Sequence, residues 1–143
     1  MRNSQIEVHP LTGVIGAEVH GVDLREPMED GTFEQVHQAL LDHLVIFFRD
    51  QDITSKQHLE FGRRFGELHL HPSAPIIDDN PELMKIHADA SSPFAEGTSW
   101  HTDVSSDEEP PMASILHLNT VPKVGGDTLF ANMYAAYDAL SDT

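Results

Sequence analysis

The residues with the clearest chemical potential are a histidine and an aspartate two positions apart, His101 and Asp103. In an extended chain, side chains at i and i+2 point to the same face, so this imidazole and this carboxylate can share one metal ion. A second histidine from elsewhere would complete the group of two histidines and one carboxylate that leaves open positions on ferrous iron. The pattern therefore predicts part of an iron site on an extended segment, residues 100–104.

Spacing alone is weak evidence for such a site. With 10 histidines and 13 aspartates in 143 residues, an H-x-D pair arises about once by chance, and the sequence contains two. The default interpretation of either pair is a solvated or hydrogen-bonded one. The second pair, His87 and Asp89, is followed only by a loop and is interpreted as structural.

Two other patterns contain residue types that occur in binding sites. His69 and His71 also have the i, i+2 spacing, but a proline-rich stretch follows them instead of the acid or third histidine usual in zinc hydrolases. A substrate contact and a hydrogen-bonded loop histidine remain open for this pair. The sequence GGDT at residues 125–128 lacks the pattern of a phosphate-binding loop and predicts a hairpin turn. No G-x-S-x-G motif supports a nucleophilic serine.

The composition narrows the class of partner. Lys and Arg number 8 against 24 Asp and Glu, and the resulting net charge of −16 argues against nucleic acid or an anionic membrane. The absence of cysteine excludes disulfides and thiolate chemistry and fits a reducing compartment. The N-terminal residues are not followed by the apolar segment of a signal peptide, and the sequence contains no apolar run long enough to span a bilayer. We expect a cytoplasmic protein that acts on a small molecule, and a homo-oligomer is compatible with the sequence.

Three strands are predicted in the first half of the chain. Alternating apolar and polar residues over Ile6–Leu24 predict two short strands joined by a turn at residues 12–13. The apolar run at residues 44–48 is typical of a strand that is buried on both faces.

Two helices are predicted in the same half. A capping-box spacing from Thr32 to Gln35 predicts the start of an amphipathic helix. A second capping box, from Thr54 to Gln57, predicts a helix that ends at Gly66.

The second half is predicted to consist of loops, antiparallel strands and one helix. The loops are expected at 67–75 and 90–97, the strands at 83–86, 112–121 and 127–132, and the helix at 133–140. Strands at hairpin spacing indicate a barrel or jelly roll, so the fold class is predicted as α+β, mainly β, with flanking helices. A jelly roll needs about eight strands, and about four of the predicted strands are clear candidates for its core, which predicts that residues 1–143 are only part of a domain.

Several blocks of the sequence occur in the order of a known family. They are IGAEV at 15–19, GVDL at 21–24, VIFFRDQ at 45–51, RFGELHLHP at 64–72, WHTDV at 100–104, PP at 110–111 and GGDTLF at 125–130. This ordered set resembles the family of iron(II)- and 2-oxoglutarate-dependent dioxygenases that act on taurine and 2,4-dichlorophenoxyacetate. The ordered set is far more specific than a single H-x-D pair.

The resemblance implies a double-stranded β-helix in which His101 and Asp103 are two of three iron ligands. It implies that Thr128 bonds a carboxylate of 2-oxoglutarate and that His71 and Val104 face the primary substrate. Fe(II), 2-oxoglutarate as cosubstrate and O₂ are the implied cofactors. Decarboxylation of 2-oxoglutarate to succinate and CO₂ would be coupled to hydroxylation of a small organic acid at a C–H bond.

Two positions differ from the taurine-oxidising members of that family. Ala74 replaces a tyrosine and Gly97 an asparagine, and both replaced groups touch substrate rather than iron. A different sulfonate, a sulfate ester or an unrelated acid is therefore expected as substrate. The resemblance implies that the family's second histidine ligand and its anion-binding arginines lie outside residues 1–143. Lys123 is the only lysine or arginine after residue 88, which agrees with this for the arginines.

Residues 1–143 are accordingly interpreted as the N-terminal part of a single dioxygenase domain. Two ligands without a third do not define a metal site, so this part alone is expected to bind iron weakly and to turn over nothing. The alternative is a jelly-roll protein that binds a metal or a small molecule without catalysis.

Overall fold

The computed structural model describes residues 5–70, 80–89, 91–92, 97 and 99–141. The chain divides into two compact units. Unit 1 comprises Met1–Thr54 and Leu118–Thr143, and unit 2 comprises Ser55–His117. His101 and Asp103 belong to unit 2, whereas Thr128 belongs to unit 1. Within the described ranges, no helix is long and apolar enough to cross a bilayer.

A small sheet forms the centre of unit 1. Strand β1, Glu7–Pro10, pairs antiparallel with β2, Ala17–His20. The Thr12 hydroxyl accepts the Ile15 amide at 2.9 Å and closes the connection between them. The two predicted strands and their turn are thus confirmed.

Strand β3, Ile46–Phe47, pairs in parallel with β2. The prediction of a strand at this place is confirmed, but the prediction of burial on both faces is wrong. The order of the sheet is β1-β2-β3, so β3 lies at an edge, and both of its residues are only half-buried. A continuous apolar run does not distinguish an edge strand from a central one.

Helix α1, Asp30–His43, packs on the sheet through Val36 and Ala39, which are buried together with Ala17 and Val19 of β2. The helix is confirmed but its predicted start is wrong. Glu29 holds the N-cap position, and Thr32 lies inside the helix and is buried. The side chain of Gln35 accepts the amide of Ile6 at 3.3 Å instead of closing a capping box.

Two more helices match their predictions approximately. Helix α2, Ser55–Arg63, begins directly after Thr54, ends three residues before Gly66 and buries Leu59 and Phe61. Helix α3, Met133–Asp138, is capped by Asn132, whose side chain accepts the amide of Ala135 at 3.0 Å.

The strands predicted at 83–86, 112–121 and 127–132 are not formed in the part of the chain that the structure describes. Alternation predicts which side chains share a face, but a strand also needs a hydrogen-bonded neighbour. These segments have no strand neighbour among the described residues, and apolar side chains such as Leu116, Leu118 and Leu129 are exposed. The mixed α and β content is confirmed, but the predicted excess of β structure is not seen among the described residues, where the helices contain more residues than the strands. The double-stranded β-helix stays a prediction.

Candidate metal centre

The structure brings His101 and Asp103 together in unit 2. The Nε2 atom of His101 lies 3.2 Å from Oδ1 of Asp103, and the two side chains are 55% and 51% exposed. The predicted extended segment at residues 100–104 is wrong at its C-terminal end, because the chain is irregular at residues 101–102 and enters a turn at Asp103. The amide of Asp107 donates to the carbonyl of Val104 at 3.1 Å and closes this turn.

Val104 has a left-handed backbone, with φ of 48°. A β-branched residue rarely adopts this conformation, because its Cβ crowds the following carbonyl. The turn therefore holds the residue next to Asp103 at a cost in strain. Val104 was predicted as a substrate contact, and its side chain is half-buried.

Both nitrogens of the His101 ring face oxygen acceptors. Nδ1 lies 2.8 Å from the carbonyl oxygen of Ser99, which can only accept, so Nδ1 carries the hydrogen. In the neutral ring, Nε2 then presents a lone pair to the carboxylate of Asp103. Two acceptors 3.2 Å apart require a proton or a metal ion between them.

The distance between these two atoms fits a metal ion. Neighbouring ligands of an octahedral ion, each about 2.1 Å from it, lie about 3.0 Å apart. The carbonyl of Ser99 accepts a hydrogen bond from Nδ1 of His101, and a histidine that binds a metal is usually oriented by such an acceptor. In the described part of the chain, no cluster of three or more His, Cys, Asp or Glu side chains is arranged to hold a metal. The pair thus fits one edge of a coordination sphere.

The second carboxylate oxygen of Asp103 has its own partner. The hydroxyl of Ser114 donates to Oδ2 at 2.6 Å, across 11 residues of chain. The next residue, Ile115, has its carbonyl 3.1 Å from Nε2 of His58 in α2. Sequence reasoning missed Ser114, because no spacing rule connects a serine with an aspartate so far along the chain.

His58 is half-buried beside His117, with 6.0 Å between the ring centres. Burial lowers the pKa of His58, because the charged imidazolium is poorly solvated there. The neutral ring donates from Nε2 to the carbonyl of Ile115.

The second H-x-D pair has similar geometry and different surroundings. Nε2 of His87 lies 3.3 Å from Oδ2 of Asp89. Oδ1 of Asp89 accepts the amide and hydroxyl of Ser91 at 2.8 and 2.6 Å and the hydroxyl of Ser92 at 3.3 Å. Hydrogen bonds from Ser91 hold the pKa of Asp89 far below its usual range, with a smaller effect from His87. These contacts support the structural interpretation of this pair.

The remaining predicted site residues are distributed as follows. Thr128 is exposed in unit 1 and follows Gly125 and Gly126, both of which have φ of 75°. The predicted hairpin turn at residues 125–128 is not formed, since the described residues bend at 123–124 and have no strands on either side. His69 binds Asp107, with Nε2 and Oδ2 3.0 Å apart, which fits a hydrogen-bonded loop histidine. His71 lies outside the described residues.

Gly97 lies beside the predicted metal ligand. A Cβ atom at this glycine would be 3.9 Å from Cε1 of His101, and its φ of +76° is one that L side chains rarely adopt. The position at which the resemblance implies an asparagine in taurine-oxidising members is therefore adjacent to the His101 ring.

The sequence profile of the taurine catabolism dioxygenase TauD, TfdA family matches residues 7–143. The chain belongs to this family. An alpha-ketoglutarate-dependent sulfate ester dioxygenase from Pseudomonas putida is 40% identical over 139 residues, which are 96% of this chain and 45% of that protein. An alkylsulfatase from Acinetobacter baylyi is 36% identical over 139 residues, 96% of this chain and 43% of that protein.

Solved structures of the TauD, TfdA family agree with the sequence match. A taurine dioxygenase from Burkholderia xenovorans superposes with a TM-score of 0.80 at 41% identity, covering 96% of this chain and 48% of that chain. The chain thus spans about half the length of the curated relatives and of this solved structure. Alpha-ketoglutarate, the cosubstrate named in the first relative, is 2-oxoglutarate.

Proposed function

We propose that the protein carrying this chain is a 2-oxoglutarate-dependent iron dioxygenase and that His101 and Asp103 are two of its three iron ligands. The observation that carries the proposal is the distance of 3.2 Å between two acceptor atoms, Nε2 of His101 and Oδ1 of Asp103. The His101 ring is already oriented by the hydrogen bond from Nδ1 to the carbonyl of Ser99. Membership of the TauD, TfdA family supports the same assignment. Residues 1–143 would then be the N-terminal part of a double-stranded β-helix domain.

Iron, when bound, supplies the activation of O₂ for oxidation of 2-oxoglutarate and substrate. One oxygen atom of O₂ enters the succinate formed when 2-oxoglutarate loses CO₂, and the other enters a C–H bond of the substrate as a hydroxyl. The residues of this chain bind and orient the reactants. We assign to Thr128 a hydrogen bond to a carboxylate of 2-oxoglutarate, and to His71 and Val104 contacts with the substrate.

A sulfate ester or a sulfonate other than taurine is the proposed substrate class. The sulfate ester dioxygenase and the alkylsulfatase among the relatives support this class. Gly97 supports it as well, because it places no side-chain amide beside His101. The resemblance implies an asparagine at this position in the taurine-oxidising members. Hydroxylation of the carbon that bears a sulfate gives an unstable product that releases sulfate and an aldehyde.

The test measures O₂-dependent succinate formation by the full-length protein with Fe(II), 2-oxoglutarate and a panel of alkyl sulfates, alkylsulfonates and taurine. Succinate and released sulfate should rise with an alkyl sulfate. His101→Ala should lower turnover by at least about 100-fold, because a ligand is lost outright, whereas the matched variant His87→Ala should stay within about twofold.

Two results would contradict the proposal. Unchanged turnover in His101→Ala would exclude this histidine as a ligand. The alternative is a jelly-roll protein that binds a metal or small molecule without catalysis. It would be favoured if Fe(II) and 2-oxoglutarate bind tightly but no succinate forms, either with a substrate of the panel or without one.

A further inference from the structure

We infer that Ser114 is a positioning residue for Asp103, holding Oδ2 so that Oδ1 alone is presented to the metal. The inference rests on the proposed function, since it assumes that Asp103 is a ligand. The hydroxyl of Ser114 lies 2.6 Å from Oδ2, while Oδ1 lies 3.2 Å from Nε2 of His101. The two carboxylate oxygens therefore have separate tasks.

The short contact with Ser114 is a hydrogen bond to an ionised acceptor. Such O–H···O⁻ bonds are shorter and stronger than bonds between neutral groups. Without this donor, the carboxylate of Asp103 can rotate away from the orientation in which Oδ1 faces the same point as Nε2 of His101. The metal then has to fix the carboxylate itself, so its binding should weaken.

The backbone beside Ser114 is anchored on helix α2. The carbonyl of Ile115 faces Nε2 of His58 at 3.1 Å, and the Ile115 side chain approaches α2 at Gly62, 3.8 Å from where a Cβ would stand. Partners of metal ligands commonly act this way, and their removal typically weakens metal binding by about 10–100-fold. The backbone next to Ser114 is therefore fixed to helix α2, which restricts the position of the Ser114 hydroxyl.

The chain contains a matched control for this contact. The hydroxyl of Ser91 donates to Oδ1 of Asp89 at 2.6 Å, the same length as the bond from Ser114 to Asp103. Both serines are exposed, and each aspartate is preceded by a histidine two residues earlier. Ser91→Ala removes an equivalent hydrogen bond from an aspartate that is not assigned to the metal.

The experiment titrates the full-length protein with Mn(II) alone, in the absence of 2-oxoglutarate, and follows free Mn(II) by electron paramagnetic resonance. Ser114→Ala should raise the Kd for Mn(II) about tenfold. Ser114→Thr, which keeps the hydroxyl, should restore it to within about threefold, and Ser91→Ala should leave it unchanged. The thermal stability of the metal-free protein should be similar in all three variants, which a merely structural role of Ser114 would not give.

The outcomes separate this inference from the proposed function. Wild-type Mn(II) affinity in Ser114→Ala, alongside lost turnover in His101→Ala, would overturn the role of Ser114 and leave the dioxygenase intact. If Ser114→Ala does not fold, Ser114→Cys replaces it, since a thiol is nearly isosteric but a weak donor. Equal Mn(II) affinity of the Cys and Thr variants would then overturn the inference, and weaker binding by the Cys variant alone would support it.

Discussion

The two H-x-D pairs have the same sequence pattern and a similar nitrogen–oxygen distance, but the hydrogen-bond partners of their carboxylates lie at different distances along the chain. Nitrogen and oxygen are 3.2 Å apart in His101–Asp103 and 3.3 Å apart in His87–Asp89. Asp89 is held by Ser91 and Ser92, two and three residues along the chain, so its contacts complete a local turn. Asp103 is held by a serine 11 residues away. The hydrogen-bond partner of the carboxylate, rather than the H-x-D pair itself, therefore distinguishes a local turn from a candidate metal ligand.

The largest contrast between the pairs is expected in metal binding. Asp103→Ala removes a proposed ligand and should weaken Mn(II) binding to the full-length protein by at least about 100-fold, which exceeds the usual effect of losing a ligand's partner. Asp89→Ala should change the affinity by less than about twofold. Calorimetric titration of both variants measures the difference. Similar losses in the two variants would remove the distinction between the pairs.

A smaller contrast is expected in the dependence of stability on pH. Burial lowers the pKa of His58, which supports the backbone beside Ser114. As the pH falls through about 6.5, the unfolded state takes up the proton first, so stability should decline from there towards the folded-state pKa. His58→Gln keeps a donor but does not titrate, and it should flatten the decline of Tm between pH 7 and pH 5 by a few degrees.

His87→Gln is the matched control for that measurement, because His87 belongs to the exposed local pair. It makes the same substitution at an exposed histidine. A decline of Tm that is as steep in His58→Gln as in the unmodified protein would contradict the assignment of this pH dependence to the buried histidine.

The smallest effect concerns the local pair alone. Ser91→Ala should raise the pKa of Asp89 towards its ordinary value of about 3.9, because the largest causes of its low pKa are the hydroxyl and amide of Ser91. Carbon-13 NMR titration of the carboxyl groups measures it. Ser114→Ala should leave Asp89 unaffected. An Asp89 that already titrates near pH 4 in the unmodified protein would show that the Ser91 contacts do not persist in solution.

Sequence reasoning was most successful where the cause of a structure is local. The alternation at Ile6–Leu24 and the apolar spacing of α1 depend on neighbouring residues, and the strands and the helix formed as predicted. The capping box at Thr32 failed because Gln35 has a partner, the amide of Ile6, that is 29 residues away. A short motif carries no information about such a competitor.

The same limit applies to the predicted strands and to the site. The segments at 112–121 and 127–132 carry the right alternation, but they form no strand among the described residues, since pairing depends on a neighbour that alternation does not specify. At the site, spacing was sufficient to predict that His101 and Asp103 approach each other. It gave no signal for Ser114, and it ranked His87–Asp89 as an equal apart from the sequence context.

One side chain in unit 1 bears on the order in which the units become complete during synthesis. Asn132 caps α3 and also donates from Nδ2 to the carbonyl of Val14 at 2.7 Å, a contact that spans 118 residues. A ribosome has made every residue of unit 2 before it reaches Asn132, because unit 1 resumes only at Leu118. Unit 1, although it starts first, is therefore the last of the two to have all its residues available, and the closure of 118 residues by this contact carries a loop entropy cost.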